Sequence, residues 1–271
     1  MAIAHNQSCE YAKSGLDVEY HPLSSITYSG PTEFNVSSSG QNYLDFSNTK
    51  ILVKVRLTDA DHVGGVNLFL HSLFQQTDVS LNDVQVMPVV GNVRLSRITL
   101  LSYGPQAKHS QLTAALFYKD SASNMDRPNP ARANEDERNF GLQKKASFTD
   151  EGATGDMIGR IHSDEFFQDR FMLNEVNIKG QLVRKKDSFC LMSGEENAFY
   201  KVKIISVIML VRKVQLSPSV FLDHAKALEC GLAIYPISHV VCKTYTIPVG
   251  NWTEITICFL PGKFPARLVI G

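Results

Sequence analysis

A histidine and an aspartate separated by one residue, His162-x-Asp164, form the pattern in this chain that most suggests chemistry. With a later histidine, such as His224 or His239, this motif supplies the two imidazoles and one carboxylate by which iron(II) oxygenases hold their metal. Arg267 would then be available to bind the carboxylate of a cosubstrate. His224, however, falls on a predicted helix rather than on a strand that faces a barrel interior. We therefore favour a strand-end histidine and aspartate that make ordinary hydrogen bonds.

Acidic residues beside this motif offer a second possible site. Asp164 and Glu165, with Asp169, are clustered carboxylates of the kind that a hydrolase uses as an acid and base pair. We favour a solvated turn that is followed by Arg170. The sequence contains no G-x-S-x-G, Walker P-loop or H-E-x-x-H pattern. We therefore predict that the protein is not an enzyme and has no catalytic, cofactor-binding or metal-binding residues.

The cysteines do not suggest a disulfide framework. Their number is odd, their spacing is irregular and no C-x-x-C occurs, so free buried thiols are expected. Cys190 follows Phe189 in an apolar segment that reads as a strand, where a buried thiol is inert rather than nucleophilic. The five cysteines are Cys9, Cys190, Cys230, Cys242 and Cys258.

Charge gives no sign of a nucleic-acid partner. The chain has 27 basic and 27 acidic residues, whereas binding to nucleic acid calls for a basic excess. The short basic groups Lys144-Lys145, Arg184–Lys186 and Arg212-Lys213 could contact the phosphates of packaged DNA, but solvated strand ends are the simpler interpretation. The aromatic cluster Phe166-Phe167 and Phe171 is equally consistent with a core and with a subunit interface.

The length and the hydrophobic content are those of a globular protein. The 271 residues, of which 44% are hydrophobic, are enough to bury a sizeable core. Residues Met1–Gly15 do not read as a signal peptide, and the longest apolar run, Ile204–Val211, is too short to span a bilayer as a helix. We expect an intracellular protein that is not secreted and has no membrane partner.

Alternating apolar residues predict several strands. Lys50–Leu57 places four apolar side chains on one face, and Tyr200–Leu216 alternates at its ends with a centre that is apolar on both faces, as in a strand buried from both sides. An edge strand is predicted after Ile26, with a turn at Gly30-Pro31. Further strands are predicted at Val66–Phe74, at Thr77–Val86 with a hairpin turn at Asn82-Asp83, and at Val176–Met192 with a turn at Lys186-Asp187.

Helices and loops are predicted in the connections. Two short helices broken at Gly104-Pro105 are expected between Leu95 and Lys119, followed by a long exposed loop over Asp120–Gly155. A further helix, Pro218–Glu229, has Ser217 as its cap, Pro218 at its first position and Gly231 in the left-handed conformation at its end. Its predicted apolar face consists of Phe221, Leu222, Ala225 and Leu228. Three strands are predicted after the helix, at Ala233–Pro248, Glu254–Leu260 and Ala266–Ile270.

This pattern of nine or ten strands with long connections predicts an all-β sandwich. The pattern alone leaves open whether the sandwich is a two-sheet jelly roll or an immunoglobulin-like fold. Five stretches are more specific, because together they resemble the major capsid protein of Polinton (Maverick) transposons and adintoviruses. They are Asn67–Leu81, Leu101–Asp120, Ile158–Leu173, Val183–Met192 and Tyr200–Pro236.

The resemblance implies a double jelly-roll fold related to hexons, with short helices in its connections. It implies an N-terminal arm at residues 1–25, a first barrel at 26–231 with an insertion near 95–155, and the opening strands of an incomplete second barrel at 232–271. The chain is thus expected to be truncated after the first barrel. The implied function is that of a structural capsid subunit without a cofactor. The implied partners are copies of itself, in a homotrimer and a capsid lattice, and a minor capsid protein, and the implied location is the virion.

Two other classes of function remain as alternatives. A jelly-roll iron(II) oxygenase would use His162, Asp164 and His224 or His239, and its three ligands would have to converge on one metal. A sandwich-type binding module, such as a lectin-like domain, would need a concave site with a few convergent polar groups. A capsid subunit needs neither feature and depends on long loops and apolar contact faces.

Overall fold

The computed structural model describes residues 12–38, 40–58, 63–86, 89–90, 103–130, 138–195 and 199–237. Its strands are β1 (Ala12–Tyr20), β2 (Thr32–Ser37), β3 (Asn42–Thr58), β4 (Val63–Gly65), β5 (Phe74–Leu81), β6 (Val84–Gln85), β7 (Val89–Val90), β8 (Thr154–Arg160), β9 (Asn177–Arg184), β10 (Leu191–Ser193) and β11 (Lys201–Leu216). Its helices are α1 (Phe69–Ser72), α2 (Pro105–His109), α3 (Phe140–Ala146), α4 (Asp187–Cys190) and α5 (Pro218–Cys230), with 3₁₀ turns at Gln111–Ala115, Asp150–Gly152 and Asp164–Phe167. No helix in these ranges is both long enough and apolar enough to cross a membrane.

Four strands form the first sheet in the order β1–β11–β3–β8, and each neighbouring pair is antiparallel. The register places Val53 of β3 between Val207 of β11 and Met157 of β8, and all three side chains are buried. The alternation predicted for Lys50–Leu57 is confirmed, because one face of β3 lies in the core. The strand predicted at Tyr200–Leu216 is confirmed as β11.

The second face of β11 is not buried as the sequence suggested. Ile205 is 43% exposed, and Ile208 and Leu210 are half-buried. The prediction of a strand buried from both sides is therefore wrong for the centre of β11, because the described residues cover the outer face of this sheet only in part.

The second sheet has the order β2–β9–β5, with β6 and β7 both paired to β5. Gly180 of β9 lies between Phe34 of β2 and Val79 of β5. A Cβ atom at Gly180 would be 3.4 Å from Cε of Met209 on β11, so the two sheets pack face to face. The predicted edge strand is confirmed, because β9 is the one strand that β2 pairs with among the residues that the structure describes.

The hairpin predicted at Asn82-Asp83 is confirmed. These two residues connect β5 to β6, and their φ angles of 48° and 65° are both positive, as a two-residue turn of type I′ requires. The turn also contacts β9, because the backbone amide of Asn177 donates to Oδ1 of Asn82 at 2.8 Å.

The connections between the two sheets define the fold as a jelly roll. Along the chain, β1, β3, β8 and β11 belong to the first sheet and alternate with β2, the β5–β6 hairpin and β9 of the second. The first and last of these strands, β1 and β11, are hydrogen-bonded neighbours. Two antiparallel sheets wound in this way form a double-sheet jelly roll, and an immunoglobulin-like order is excluded. The core lies between the sheets and includes Phe34, Leu44, Val53, Leu182 and Val207.

Two segments differ from their predicted structure because of tertiary packing. Val66–Phe74, predicted as a strand, contains the one-turn helix α1, which starts after Leu68 in the left-handed conformation (φ 56°). All four residues of α1 are buried, and the helix is too short to show a helical period in the sequence. The predicted loop Asp120–Gly155 contains α3, which lies against β4.

Two shorter connections can be compared with the prediction in part. Pro105 begins α2, so the helix predicted after Gly104-Pro105 is confirmed, whereas the helix predicted before this break falls on residues 91–102, outside the described ranges. The turn predicted at Lys186-Asp187 is present, but Cys190 ends α4 instead of lying within a strand.

Helix α5 is confirmed, with Pro218 at its first turn, but its ends and its buried face differ from the prediction. Ser217 makes no capping hydrogen bond, and Gly231 is extended (φ −154°) rather than left-handed, because the chain continues in an extended conformation. The helix packs on the chain through Val220, Phe221 and His224, whereas Leu222 is exposed. The predicted apolar face is thus mostly directed away from the core.

Asn139 caps α3 and is expected to be a measurable stabiliser of this helix. Its buried side-chain oxygen accepts from the amides of Leu142 and Ser121, both at 3.3 Å. We expect Asn139→Ala to lower the free energy of unfolding by about 1–2 kcal/mol, measured by urea denaturation. Asn174→Ala, which removes a partly exposed amide bonded to the carbonyl of Gly40, is the control and should cost less than about 0.5 kcal/mol. Equal effects of the two substitutions would contradict the capping role.

Candidate functional site

The predicted motif residue His162 lies two residues after the end of β8 and two residues before the 3₁₀ turn Asp164–Phe167. Its side chain is buried and stacks on the imidazole of His71 from α1, with ring centroids 3.8 Å apart and ring planes 12° from parallel. Nε2 of His71 lies 2.9 Å from the backbone oxygen of Arg160, so this nitrogen carries the proton and donates it. His71 and His162 therefore form a buried pair of stacked imidazoles.

Burial makes both imidazoles neutral at pH 7. It lowers the pKa of His71 to about 4, although the hydrogen bond to the Arg160 carbonyl opposes this shift. Burial also lowers the pKa of His162 well below its usual value, with smaller contributions from His71 and the Arg160 guanidinium. Two adjacent imidazolium ions in an apolar interior would repel each other and would lack solvation, so the stack requires neutral rings.

The stacked geometry does not suit a metal site. The lone pair of an imidazole lies in the plane of its ring, so two rings stacked face to face direct their lone pairs along parallel lines rather than toward one ion. Within the described ranges, no group of three or more His, Cys, Asp or Glu side chains could hold a metal. The stack therefore provides packing and hydrogen bonding instead of two converging ligands.

The third ligand proposed from the sequence, His224, has different neighbours. Its Nδ1 lies 3.0 Å from the hydroxyl of Tyr43, and the two rings stack with centroids 5.8 Å apart. Tyr43 belongs to a second hydrophobic cluster between β3, β11 and α5, separate from the main core. The structure thus does not bring His162, Asp164 and His224 together. The other residues considered for this site, His239 and Arg267, lie outside the described ranges.

The carboxylates beside the motif are not in a solvated turn. Asp164 and Glu165 are both buried, because the 3₁₀ turn that carries them packs against β3. Glu165 accepts a short hydrogen bond from Ser163. The prediction of a solvated turn is wrong for these two residues and holds for the exposed Asp169.

The neighbouring aromatic residues are part of the chain's own core. Phe166 packs on Phe46 with ring centroids 5.1 Å apart, and Phe171 is buried in the second cluster beside Tyr43. Of the two roles that the sequence left open for Phe166 and Phe171, the structure therefore assigns them to the core rather than to an exposed subunit interface.

Two of the basic residues considered as phosphate contacts are buried. Lys145 is 1% exposed and forms an ion pair with Asp120 at 3.3 Å. The guanidinium of Arg184 forms an ion pair with Asp187 at 2.9 Å, and both side chains are at most 10% exposed. A contact with DNA phosphates would require each cation to leave its buried ion pair, so these two residues stabilise the fold instead. The expectation of solvated strand ends is wrong for Lys145 and Arg184.

Cys190 has the environment expected of an unreactive thiol. It is buried, its Sγ lies 2.9 Å from the backbone oxygen of Ser72, and burial raises its pKa to about 11. Cys230, at the end of α5, is free but exposed, so the prediction of buried thiols is wrong for this residue. Cys9, Cys242 and Cys258 lie outside the described ranges.

A small recess lies beside the 3₁₀ turn and provides little room for a ligand. It is lined by apolar side chains with Glu165 and Gln168 at its edge, and its volume is about 30 Å³. A small-molecule site usually has about 300–1,000 Å³. This recess could therefore hold a water-sized group and does not provide the concave site of a binding module.

Several large apolar side chains on and after α5 are exposed. Leu222 is 58% exposed and lies on the side of the helix opposite His224, whereas Leu228, which is 37% exposed, lies one turn after His224. Leu232, which follows the helix, is 84% exposed. We call these three leucines the α5 stripe. Large exposed apolar patches are typical of contact faces between proteins, so these leucines are candidates for such a face.

The outer face of the first sheet adds a second apolar feature. Ile208 of β11, Leu52 of β3 and Ile158 of β8 are cross-strand neighbours. All three are half-buried and point away from the core, because the adjacent residues Val53 and Val207 point into it. The sheet therefore presents a row of aliphatic side chains on its outer side.

Solved structures of a virophage and of two viral major capsid proteins match this chain at low sequence identity. A chain in the 3.5 Å cryo-electron-microscopy structure of the Sputnik virophage is 12% identical and matches with a TM-score of 0.51, over 77% of this chain and 49% of that one. The fold is shared with a virophage protein. The Faustovirus major capsid protein is 9% identical with a TM-score of 0.47, over 80% of this chain and 57% of its own. The mavirus major capsid protein is 13% identical with a TM-score of 0.38, over 74% and 47%.

The protein thus has a jelly-roll fold, which it shares with the Sputnik chain, and it spans about half the length of the solved chains that it matches. No protein-family model and no curated protein sequence matches it. In this fold, sequence reasoning missed His71, the partner of His162, because His71 lies in an apolar segment that resembles a strand. It also missed the exposed position of the α5 stripe, although the spacing of Phe221, Leu222, Ala225 and Leu228 correctly indicated a helix.

Proposed function

We propose that this chain is a structural subunit of a virus-like capsid and functions by self-association. The observation that carries the proposal is the jelly-roll fold, in which the chain is similar to a protein of the Sputnik virophage. The location in this proposal is the virion, and no catalytic step or cofactor takes part.

The finer details of the proposal come from the resemblance to the Polinton (Maverick) and adintovirus major capsid protein. In this proposal a large DNA transposon or endogenous virus encodes the chain, which forms trimers that assemble into a lattice with a minor capsid protein as a further partner. Residues 26–231 form the first of two barrels, and residues 232–271 contribute the opening strands of the second. Coverage of 49% of the Sputnik chain is consistent with one barrel of a two-barrel protein.

The α5 stripe and the outer row of the first sheet support self-association, because both place aliphatic side chains on the surface. Burying one leucine side chain in a contact contributes about 1.5–3 kcal/mol. A contact between copies that buries several of these side chains could therefore offset the cost of association. The zero net charge of the chain further limits electrostatic repulsion between copies.

The proposal is tested by measuring the oligomeric state of the full chain with analytical ultracentrifugation over a range of concentrations. We expect a concentration-dependent trimer and at least about a tenfold weaker association for the double variant Leu222→Ser/Leu228→Ser. The matched control is Val84→Ser, which changes a residue that is 69% exposed on the second sheet and should leave association unchanged. A chain that remains monomeric at all concentrations would contradict the proposal, as would identical association of the three proteins.

A further inference from the structure

Three polar side chains from distant parts of the chain meet in a buried cluster beside β4. Lys145 comes from α3, Asn67 follows β4, and Asp120 follows the 3₁₀ turn Gln111–Ala115. We call these three residues the Lys–Asn–Asp cluster. Lys145 is 1% exposed and Asp120 is 22% exposed. A lysine this deeply buried is unusual, and it has no part in the assembly function proposed above.

The amine of Lys145 lies directly against the side-chain amide of Asn67. Nζ donates to Oδ1 of Asn67 at 3.0 Å and to Oδ1 of Asp120 at 3.3 Å. The other carboxylate oxygen of Asp120 accepts from Nδ2 of Asn67 at 2.7 Å. One carboxylate thus connects the lysine nitrogen to the amide nitrogen of the asparagine.

A backbone amide completes the arrangement around Asn67. The N–H of Tyr118 donates to Oδ1 of Asn67 at 3.1 Å, so this oxygen has two donors. These contacts fix the orientation of the amide, because a flipped Asn67 would direct its NH₂ group at an amine and an N–H. The Tyr118 N–H has the position of an oxyanion-hole donor, since it would stabilise negative charge on Oδ1 if a nucleophile attacked Cγ.

Burial favours the nucleophilic form of the lysine. Desolvation lowers the pKa of Lys145, and the nearby Asp120 opposes this shift. The neutral amine is the form of lysine that attacks a carbonyl carbon. The enclosure is tight, because a Cβ atom at Gly141 would lie only 2.5 Å from the backbone oxygen of Lys119. The reacting groups are therefore held in contact and largely apart from water, which favours an intramolecular reaction.

From this geometry we infer that Lys145 and Asn67 form an intramolecular isopeptide bond, with Asp120 as the acid and base of the reaction. Asp120 takes a proton from the Lys145 ammonium, and the free amine attacks Cγ of Asn67. The C–N bond to Nδ2 then breaks as Asp120 returns the proton to this nitrogen, and ammonia leaves. The attacking nitrogen still carries two protons, and it gives one of them through Asp120 to the departing ammonia. Lysine ammonium and asparagine amide thus give a secondary amide and an ammonium ion, without an oxidant, a reductant or a cofactor.

The bond would link α3 to the segment after β4, which are separated by 78 residues in the sequence. A covalent link between distant residues stabilises a fold chiefly by restricting its unfolded chain, as a disulfide does. Unlike a disulfide, an amide resists reducing agents, so such a link would persist in a reducing compartment.

Mass spectrometry of the full folded chain tests the inference. We expect the intact mass to be lower than the sequence mass by one molecule of ammonia, and protease digestion to release a branched peptide that joins Lys145 to Asn67. Lys145→Met and Asp120→Asn should each have the unmodified mass expected from their sequences. Lys144→Met, which changes the exposed neighbouring lysine, is the matched control and should still lose ammonia.

Two results would overturn the inference. One is a wild-type chain that is folded by near-ultraviolet circular dichroism but keeps the full mass of its sequence. The other is a loss of ammonia that maps to a single unbranched peptide, which would indicate succinimide formation at an asparagine. Because both results concern the wild-type chain, poor folding of a variant does not affect them.

Discussion

Replacing Asp187 with alanine is expected to lower the free energy of unfolding by about 3–5 kcal/mol, because it leaves a buried guanidinium without its partner. Asp187 accepts from Arg184 at 2.9 Å, from the hydroxyl of Tyr28 at 2.8 Å and from the backbone amide of Val202 at 3.1 Å. These contacts connect α4 to β9, to β11 and to the segment that precedes β2. One carboxylate therefore holds three parts of the sandwich together.

Chemical denaturation monitored by circular dichroism measures this effect. The matched control is Asp156→Ala, which removes an ion pair with Lys54 at 3.5 Å, where both side chains are more than 40% exposed. A surface pair of this kind contributes about 0–1 kcal/mol, so this variant should remain close to the wild type. A loss of less than about 1 kcal/mol for Asp187→Ala would show that the buried network does not stabilise the fold.

Acidification is expected to remove about 3 kcal/mol of stability through His71 alone as the pH falls from about 6.5 to about 4. The folded protein holds the pKa of His71 near 4, whereas the unfolded chain has the ordinary value of 6.5. Between these values the unfolded state binds the proton and the folded state does not, so stability falls as the pH decreases. The lowered pKa of His162 acts in the same direction.

A pH series of denaturation curves for the wild type and for His71→Gln isolates this contribution. Glutamine retains an N–H donor for the carbonyl of Arg160 but does not titrate. Protonation of carboxylates below pH 5 occurs in both proteins, so it cancels when their free energies of unfolding are subtracted. We expect the difference in free energy of unfolding between the wild type and the variant to decrease by about 3 kcal/mol between pH 7 and pH 4. Parallel pH profiles would contradict the assignment of a neutral, buried His71.

The strands were predictable where one face of a strand is buried and the other is solvated. Lys50–Leu57 and Thr77–Val86 show the required alternation or turn residues, and β3 and the β5–β6 hairpin form there. Helix α1 was not predictable, because a four-residue buried helix is too short to show a helical period. Helix α3 was predicted as part of a loop because its segment is rich in polar residues. The burial of its Lys145 depends on contacts with distant parts of the chain, which the local sequence does not show.

The environment of the motif residues was the least predictable feature. Nothing in the sequence pairs His162 with His71, which comes from a different sheet connection. The burial of Asp164 and Glu165 likewise depends on how the 3₁₀ turn packs against β3, and local composition does not encode that contact. Pairings between distant residues of this kind arise only from the complete topology.

The position of β11 between β1 and β3 has a consequence for biosynthesis. The ribosome delivers β1 and β3 long before β11, and both of them need β11 as a hydrogen-bonded neighbour. The nascent chain therefore emerges with an open edge on β3, and the four-stranded sheet can close only after Leu216 has left the exit tunnel. An unpaired strand edge can form hydrogen bonds with other nascent chains and so lead to aggregation. We therefore expect high-level synthesis to depend on chaperones that cover the edge of β3 until β11 has been translated.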